Sequence, residues 1–191
     1  MEGITVGFAL CGSFCTFERA LALMEKLVQE GAAVLPIMSH NAFSTDTRFG
    51  EAKEFVRRIE AISGRRVIST IADAEPIGPK GLCDVMLVAP CTGNTLAKLA
   101  HGVVDTSVTM AVKSHVRNAR PVVIAVSTND GLAAAAKNIA ELLNRKCFYF
   151  VPFMQDDSEK KPPSLVAELS LASRTMRLAL TGRQIQPVIQ Y

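Results

Sequence analysis

The sequence predicts an α/β fold in which a mainly parallel sheet lies between two layers of helices, as in three-layer, doubly wound proteins. Short and nearly uninterrupted apolar runs recur along the 191 residues. Such runs are typical of strands that are buried on both faces. Segments with apolar residues at helical spacing separate them, and repeated alternation of strand and helix favours a parallel sheet covered on both sides.

The first half of the chain alternates between these two patterns. Apolar residues at Leu21, Met24 and Leu27 have helical spacing, and Gly31 is a suitable residue to end that helix. In order, the predicted elements are strand 4–10, helix 17–31, strand 32–38, helix 51–63 and a short strand 66–70.

The second half continues the alternation. We expect Pro90 to end a buried strand, because proline has no N–H to donate to a sheet. The polar, proline-rich segment 156–163 predicts an exposed loop. In order, the predicted elements are strand 82–89, a helix that begins near Thr92, helix 106–118, strand 120–127, helix 132–144, strand 147–151 and helix 165–180. The sequence contains no internal repeat, so we expect a single domain over 1–191, with a C-terminal helix and tail in 163–191.

Composition excludes several classes of protein. With 49% hydrophobic and 20% charged residues, the chain is neither disordered nor collagen-like. A net charge of +3, no tryptophan and 6% aromatic residues argue against a nucleic-acid partner. No uninterrupted apolar run reaches the roughly 18 residues that a membrane span needs, and no leader pattern precedes the first strand. The five cysteines predict free thiols and a cytoplasmic protein.

In a doubly wound fold the ligand lies outside the carboxyl ends of the strands. This rule selects the loops 11–16, 39–50, 90–95 and 127–131. In the first of them, Gly12 lets the backbone approach a ligand, and Ser13 and Thr16 offer hydroxyls beside the free N–H groups of a helix start, which is one way to bind a phosphate. The loop has neither the dinucleotide fingerprint nor the Gly-Lys-Ser/Thr pattern, and a simple helix cap is the alternative.

The loop after the third strand has the most informative pattern. Its small residues would let a flat ring lie against the backbone, while Thr92, Asn94 and Thr95 could bind the polar edge of that ring. Cys91 could act as a nucleophile at a helix start. We favour a packing role for it, because no histidine lies nearby in sequence to serve as a base. The polar loop that begins at Ser39 could contact the phosphate of a ligand from a second side, form a lid, or be a solvated turn.

The histidines do not form a metal-binding pattern. His40, His101 and His115 are scattered, and no pair of cysteines has the C-x-x-C spacing. We therefore expect no metal site. The Gly-x-Ser-x-Gly elbow of α/β-hydrolases is absent as well.

The third loop and the helix after it, residues 89–105, resemble the signature segment of the homo-oligomeric FMN-binding flavoproteins, a family that includes cysteine decarboxylases and flavin prenyltransferases. The first loop, 12–17, is similar to the Gly-Ser/Gly-Ile-Ala-Ala-Tyr segment of that family. Ser39 falls where the family has a hydroxyl that contacts the FMN phosphate, and Asp105 matches the aspartate that ends the signature helix.

The resemblance implies a Rossmann-like flavoprotein fold that binds FMN. The residues expected to contact FMN are Gly12, Ser13, Phe14, Ser39, Asn41, Pro90, Cys91, Thr92, Asn94, Thr95, Ser127 and Asn129. The family also forms trimers or dodecamers with FMN between subunits. The resemblance therefore implies a homo-oligomer with helix 106–118 at an interface, and that segment has apolar residues on more than one side.

Departures from the family pattern put its best-known activities in doubt. Pro76 stands where the decarboxylases carry an active-site histidine. Of the decarboxylase run Pro-x-Met-Asn, only Asn129 is kept, and Ser127 and Thr128 replace the Arg-Glu pair of the prenyltransferases. The catalytic residues are therefore not assigned from the sequence.

These departures resemble a branch of the family from spore-forming bacteria. The resemblance implies one subunit of an oxidoreductase that works in the mother-cell cytoplasm on a small dicarboxylate, with a separate Rossmann-type subunit that could carry NAD(P). Candidate cations for the dicarboxylate are Lys80, Lys113, Arg117 and Arg120, and for each of them a solvated surface charge is the commoner alternative. The alternatives are a non-catalytic scaffold or activator of that second protein, and a decarboxylase- or prenyltransferase-like enzyme.

Overall fold

Five parallel strands form the centre of the molecule in the order β2-β1-β3-β4-β5. In the computed structural model, which describes residues 1–190, they are β1 Thr5–Leu10, β2 Ala33–Met38, β3 Val85–Cys91, β4 Val122–Thr128 and β5 Phe148–Phe150. Val6 of β1 lies opposite Val34 on one side and Val85 on the other. The strands contribute about half of the fully buried residues, as expected of a sheet covered on both faces. The predicted fold class is confirmed.

A hairpin extends the sheet on one side. It consists of β6 Phe153–Asp157 and β7 Lys161–Ala167, and β7 pairs antiparallel with the end of β4, where Ser127 lies opposite Val166. The segment 156–163 is mostly exposed, as predicted, but it is a β-hairpin rather than a loop. The predicted helix start at 165 is wrong. Pro162 and Pro163 are tolerated because the register of β6 and β7 shifts at this point, so the missing N–H groups do not interrupt a regular ladder.

Eight α-helices accompany the sheet in the described part of the chain, together with three short 3₁₀ helices. The α-helices are α1 Phe17–Gln29, α2 His40–Ser44, α3 Ala52–Ser63, α4 Ile71–Ala74, α5 Gly93–His101, α6 Ser107–Val116, α7 Ala136–Leu143 and α8 Ala172–Leu180. The chain moves in one direction from β1 to β2 and in the other from β3 to β5. Right-handed crossovers therefore place α1 on one face and α5, α6 and α7 on the other. Helix α8 joins the α1 face, where Arg177 pairs with Glu30 at 3.1 Å.

Several elements differ from the predicted ones at their boundaries. Strand β3 continues through Pro90, at a point where its register against β4 shifts between Val88 and Cys91. The predicted strand 66–70 is reduced to a single bridge between Ile37 and Ile68. Helix α7 begins four residues late, because the backbone N–H groups of Ala133 and Ala135 turn back to the carbonyl of Asp130.

His115 of α6 lies buried beneath the sheet. Its Nε2 is 3.1 Å from the carbonyl oxygen of Pro121, and its Nδ1 is 3.4 Å from the Cys83 sulfur. Burial lowers the pKa of His115 to about 4, because the charged imidazolium would be poorly solvated there. The imidazole is therefore neutral in the folded protein at neutral pH.

We expect His115 to weaken the fold as the pH falls. Its pKa is about 4 when folded and 6.5 when unfolded, so below pH 6.5 the unfolded chain binds more protons. Between pH 7 and pH 4.5 this costs roughly 2–3 kcal/mol of unfolding free energy. Urea unfolding at both pH values should show that the unfolding free energy of His115→Gln falls less with pH than that of the parent. The exposed-site control His40→Gln should keep the parental slope; an unchanged slope in His115→Gln would contradict this origin.

Candidate functional site

Three clefts adjoin where β1, β3 and β4 end. One of them, of about 520 Å³, lies towards α7, and the other two contain most of the predicted site residues. The larger of these two, of about 490 Å³, lies between the loop after β1 and the β6–β7 hairpin. The smaller, of about 330 Å³, lies between the loops after β1, β2 and β3. Gly12 and Thr92 line both clefts, so the two spaces adjoin. Their place at the carboxyl ends of the parallel strands, beside the point where the strand order reverses, is the usual ligand position in this type of sheet.

Three hydroxyl groups meet in the wall of the larger cleft. The Ser127 oxygen is 2.9 Å from those of Ser13 and Thr16, which are 3.2 Å from each other. Ser13 and Thr16 precede α1, and Ser127 comes from the end of β4, so the tertiary fold brings two predicted loops together. We call these residues the hydroxyl cluster. Hydroxyls beside a helix N-terminus are suited to binding an anion.

The turn between β3 and α5 is held tightly at its start. Thr92 caps α5, because its side-chain oxygen accepts a hydrogen bond of 3.3 Å from the backbone N–H of Thr95. A side chain at Gly93 would lie 2.7 Å from Asp130 Oδ1 and 2.8 Å from Thr128 Oγ1. Only glycine allows this approach of the two loops. Asn94 is left exposed and lines the smaller cleft.

Ser39 and Asn41 reach the smaller cleft from the end of β2. The predicted polar loop forms the short helix α2, which Ser39 caps by accepting a hydrogen bond of 3.4 Å from the N–H of Ala42. Asp105 lies on the opposite wall and binds Lys98 at 2.8 Å. The loops after β1, β2 and β3 thus converge on one space.

Pro90 and Cys91 lie below the clefts and line neither of them. Cys91 is fully buried, and burial raises the pKa of its thiol well above the usual value. The neighbouring Cys11 thiol has a pKa raised by burial to about 11 and accepts a hydrogen bond of 3.2 Å from Thr95 Oγ1. Both cysteines are protonated at neutral pH, so the structure supports a packing role for Cys91 rather than a nucleophilic one.

Thiol reactivity should separate these cysteines. Cys15 is exposed, whereas Cys11, Cys83 and Cys91 are buried, and burial raises the pKa of the Cys83 thiol to about 12. With an aromatic disulfide reagent at neutral pH we expect one fast thiol per chain, a slower reaction at half-buried Cys147, and the rest only after denaturation. Cys15→Ser should abolish the fast phase, and a fast phase that survives this substitution would show that a buried thiol is accessible.

The sequence did not indicate the hairpin side of the larger cleft. Arg19 and Phe49 also line this cleft, together with residues of the hairpin: Asp156, Lys161, Ser164, Leu165 and Val166. The hairpin was missed because 156–163 was predicted as a loop, although the apolar run Leu165–Ala167 before Glu168 is compatible with a strand.

The cations suggested by the sequence do not line either cleft. Arg120 donates to the carbonyl oxygens of Gly81 and Cys83, near the amino end of the sheet. Lys113 and Arg117 border a separate, apolar cavity of about 340 Å³ that Phe148 also lines. Lys80 is exposed and likewise lines neither cleft. None of the four therefore lies at either cleft within one chain, and the alternative of a solvated surface charge describes Lys80, Lys113 and Arg117, which are exposed.

Within residues 1–190, no group of three or more His, Cys, Asp and Glu side chains is arranged to hold a metal ion. Over the same residues, every helix is too short or too polar to span a membrane.

A family model described as Flavoprotein matches residues 1–168, and the chain belongs to that family. Within the family it is a homologue of the B subunit of dipicolinate synthase. It is 46% identical to that protein of Bacillus subtilis strain 168 over 189 residues. The matched region covers 99% of this chain and 94% of the relative.

Solved structures agree with this relationship. The crystal structure of the dipicolinate synthase B subunit from Bacillus halodurans superposes with a TM-score of 0.91 at 43% identity, covering 100% of this chain and 97% of that one. The FMN-dependent cysteine decarboxylase SpaF superposes with a TM-score of 0.68 at 23% identity, covering 93% and 98%. At that identity the second similarity shows the fold alone.

Proposed function

We propose that this chain is the FMN-binding B subunit of a dipicolinate synthase. It acts with a separate A subunit to form dipicolinate from dihydrodipicolinate or its hydrated precursor, in the mother-cell cytoplasm of a sporulating bacterium. The observation that carries the proposal is the similarity to the B subunit of dipicolinate synthase along nearly the whole chain. The adjoining clefts at the carboxyl ends of the strands support it.

The residues around these clefts fit FMN. The hydroxyl cluster and the Gly12 backbone offer a surface for the phosphate, together with Ser39 and Asn41. Asn94, Thr92 and Asn129 could bind the polar edge of the flavin ring, and Thr95 also lines the smaller cleft. Pro90 and Cys91 would support the turn from below. When bound, FMN supplies a two-electron acceptor, and a nicotinamide on the A subunit could serve instead.

We also propose that the chain forms a trimer or dodecamer. Val103 is 45% exposed and lies at the apolar cavity that Leu99, Val116 and Phe148 line. A second copy would remove this surface from water. Light scattering that shows a monomer would overturn this part of the proposal.

The decisive experiment measures flavin and product in the same sample. The chain is purified with its A subunit, scanned for flavin absorbance and assayed for dipicolinate, in the parent, in Asn94→Ala and in the control Asn144→Ala, whose side chain lies at the end of α7. We expect Asn94→Ala to lose flavin and product together, and the control to keep both. A parent that is colourless and takes up no FMN in calorimetry would overturn the flavin role.

One observation favours the second candidate, a non-catalytic activator of the A subunit. Among the described residues that line the larger cleft there is no histidine, and the one in the smaller cleft is the exposed His40. Pro76, which replaces the decarboxylase histidine, lies in the 3₁₀ helix Glu75–Ile77 before β3. If Asn94→Ala loses flavin and keeps full dipicolinate output, the activator role is favoured. A prenyltransferase-like activity would instead appear as a flavin adduct after incubation with dimethylallyl phosphate.

A further inference from the structure

The larger cleft has the size and chemistry of a site for a small charged molecule. Its volume of about 490 Å³ is within the usual range for small-ligand sites. Phe14 and Phe49 provide aromatic surface, and the hydroxyl cluster provides a polar wall. The β6–β7 hairpin closes the opposite side.

Two cations line this cleft from different elements. Arg19 comes from the first turns of α1 and Lys161 from the start of β7. Asp156 is the one carboxylate in the described lining, so the cleft carries a net positive charge. Such a space attracts anions, because the field of its charges is strongest where the protein walls limit contact with water. Each of the two cations can pair with a carboxylate of a ligand, in addition to the FMN phosphate that the proposed function places at the hydroxyl cluster.

Both cations are available to a ligand. Within residues 1–190, no carboxylate lies within 4.0 Å of the Arg19 guanidinium. Lys161 binds Asp156 at 2.9 Å, but both side chains are largely exposed, with 56% and 40% of their surface accessible. Such exposed pairs contribute little to stability, because water and salt screen them. A ligand carboxylate can therefore replace Asp156 as the partner of Lys161 at little cost.

We propose that Arg19 and Lys161 bind the two carboxylates of the dicarboxylate that the enzyme releases, with its flat ring between the two phenylalanines. This inference rests on the proposed function and assigns the substrate specificity of the same site. Two cations that stand on separate elements suit an anion with two carboxylates pointing away from each other. Arginine can bind one of these with two parallel hydrogen bonds, and lysine binds the other as a point charge.

Calorimetry tests the inference with two probes, pyridine-2,6-dicarboxylate and pyridine-2-carboxylate, on the full chain with its A subunit. We expect the parent to bind the dicarboxylate more tightly. In Arg19→Gln and in Lys161→Gln its affinity should fall roughly ten-fold, the usual effect of losing a hydrogen bond to a charged group. Affinity for the monocarboxylate should change less, so the preference collapses. The matched control Lys160→Gln changes an exposed lysine in the adjacent turn, outside the lining of the cleft, and should keep the preference.

A third variant tests the role of Asp156. Asp156→Asn removes the competing partner of Lys161, and we expect it to bind the dicarboxylate about two- to five-fold more tightly, the equivalent of an exposed ion pair. If the Lys161–Asp156 ion pair had only a structural role, the substitution would not increase the affinity for the dicarboxylate. In the dipicolinate assay, KM should rise in Arg19→Gln and Lys161→Gln and fall in Asp156→Asn, with smaller changes in kcat.

The outcomes separate this inference from the proposed function. If the parent forms dipicolinate and the Arg19 and Lys161 variants keep its KM and the preference for two carboxylates, the cation pair is wrong and the proposed function stands. A ten-fold loss of FMN affinity in these variants, with the dicarboxylate preference intact, would reassign the cations to the cofactor phosphate. If the parent does not form dipicolinate with the A subunit and does not bind pyridine-2,6-dicarboxylate, both proposals fail.

Discussion

Gly78→Ala is expected to lose about 3–5 kcal/mol of unfolding free energy. Gly78 is buried in the turn before β3, and a Cβ there would overlap the backbone carbonyl oxygen of Ser114 in α6. That oxygen cannot move away as a flexible side chain could, because it belongs to a helix. Overpacking alone costs about 1–3 kcal/mol and sometimes more.

A hydrogen bond is lost in addition. The backbone N–H of Gly78 donates to Ser114 Oγ at 2.6 Å, and Ser114 Oγ in turn donates to the carbonyl oxygen of Glu75. Any shift that relieves the overlap separates these buried groups, which costs about 1–3 kcal/mol when a partner is left unsatisfied. The sum is a large fraction of the 5–15 kcal/mol that is typical of a folded domain.

Urea unfolding followed by circular dichroism checks this expectation. Gly12→Ala is the matched control, because the nearest atom to a Cβ there is a Phe14 ring carbon at 3.5 Å, an ordinary contact. The control should stay within about 1 kcal/mol of the parent. If Gly78→Ala is equally stable, the packing of the turn against α6 is looser than the structure indicates.

Ser13→Asp is expected to weaken FMN binding about 100-fold. The substitution places a carboxylate in the hydroxyl cluster, beside the proposed phosphate position. Two like charges about 4 Å apart near a protein surface repel by about 4 kcal/mol before screening by salt, and 1.4 kcal/mol corresponds to ten-fold in affinity. Ser13→Ala removes only a hydroxyl and should cost roughly ten-fold or less.

The fold should tolerate Ser13→Asp, because Ser13 is half-buried and precedes a helix N-terminus, where a negative charge is favourable. Fluorescence titration should therefore show weaker FMN binding together with nearly unchanged riboflavin binding, since riboflavin has no phosphate. Ser170→Asp, at an exposed position between β7 and α8, is the control. Equal loss of FMN and riboflavin would show that the phosphate lies elsewhere.

Much of the core and the loops of the site followed from local pattern. The apolar run at β1 and the helical spacing in α1 place Ser13 and Thr16 at a strand–helix junction without any knowledge of tertiary contacts. The turn Thr92–Thr95 was recognised because small residues and an N-cap follow a buried strand. Strand β3 continues beyond its predicted end, because a shift in its register against β4 accommodates proline. Local sequence pattern does not reveal such a shift.

Other features depend on contacts between segments far apart in sequence. Ser13 and Ser127 are 114 positions apart, and their hydroxyls meet only because β1 and β4 end at the same edge of the sheet. The β6–β7 hairpin was missed because proline and charge suggest a loop, whereas pairing with the end of β4 stabilises a strand. The cations in the cleft could not be selected from 21 lysines and arginines, since charge in a sequence does not show which cleft a side chain lines.

The class of fold and the loops that follow the central strands could be predicted from the sequence, because burial on both faces of a parallel sheet imposes apolar runs that are visible locally. The family followed instead from the resemblance of residues 12–17 and 89–105 to its signature segments. Three features are visible only in the tertiary structure. Cys91 is buried below the turn, Arg19 and Lys161 line one cleft, and the hydroxyls of two loops form one cluster. These properties depend on the pairing of distant strands, and no short window of residues contains that information.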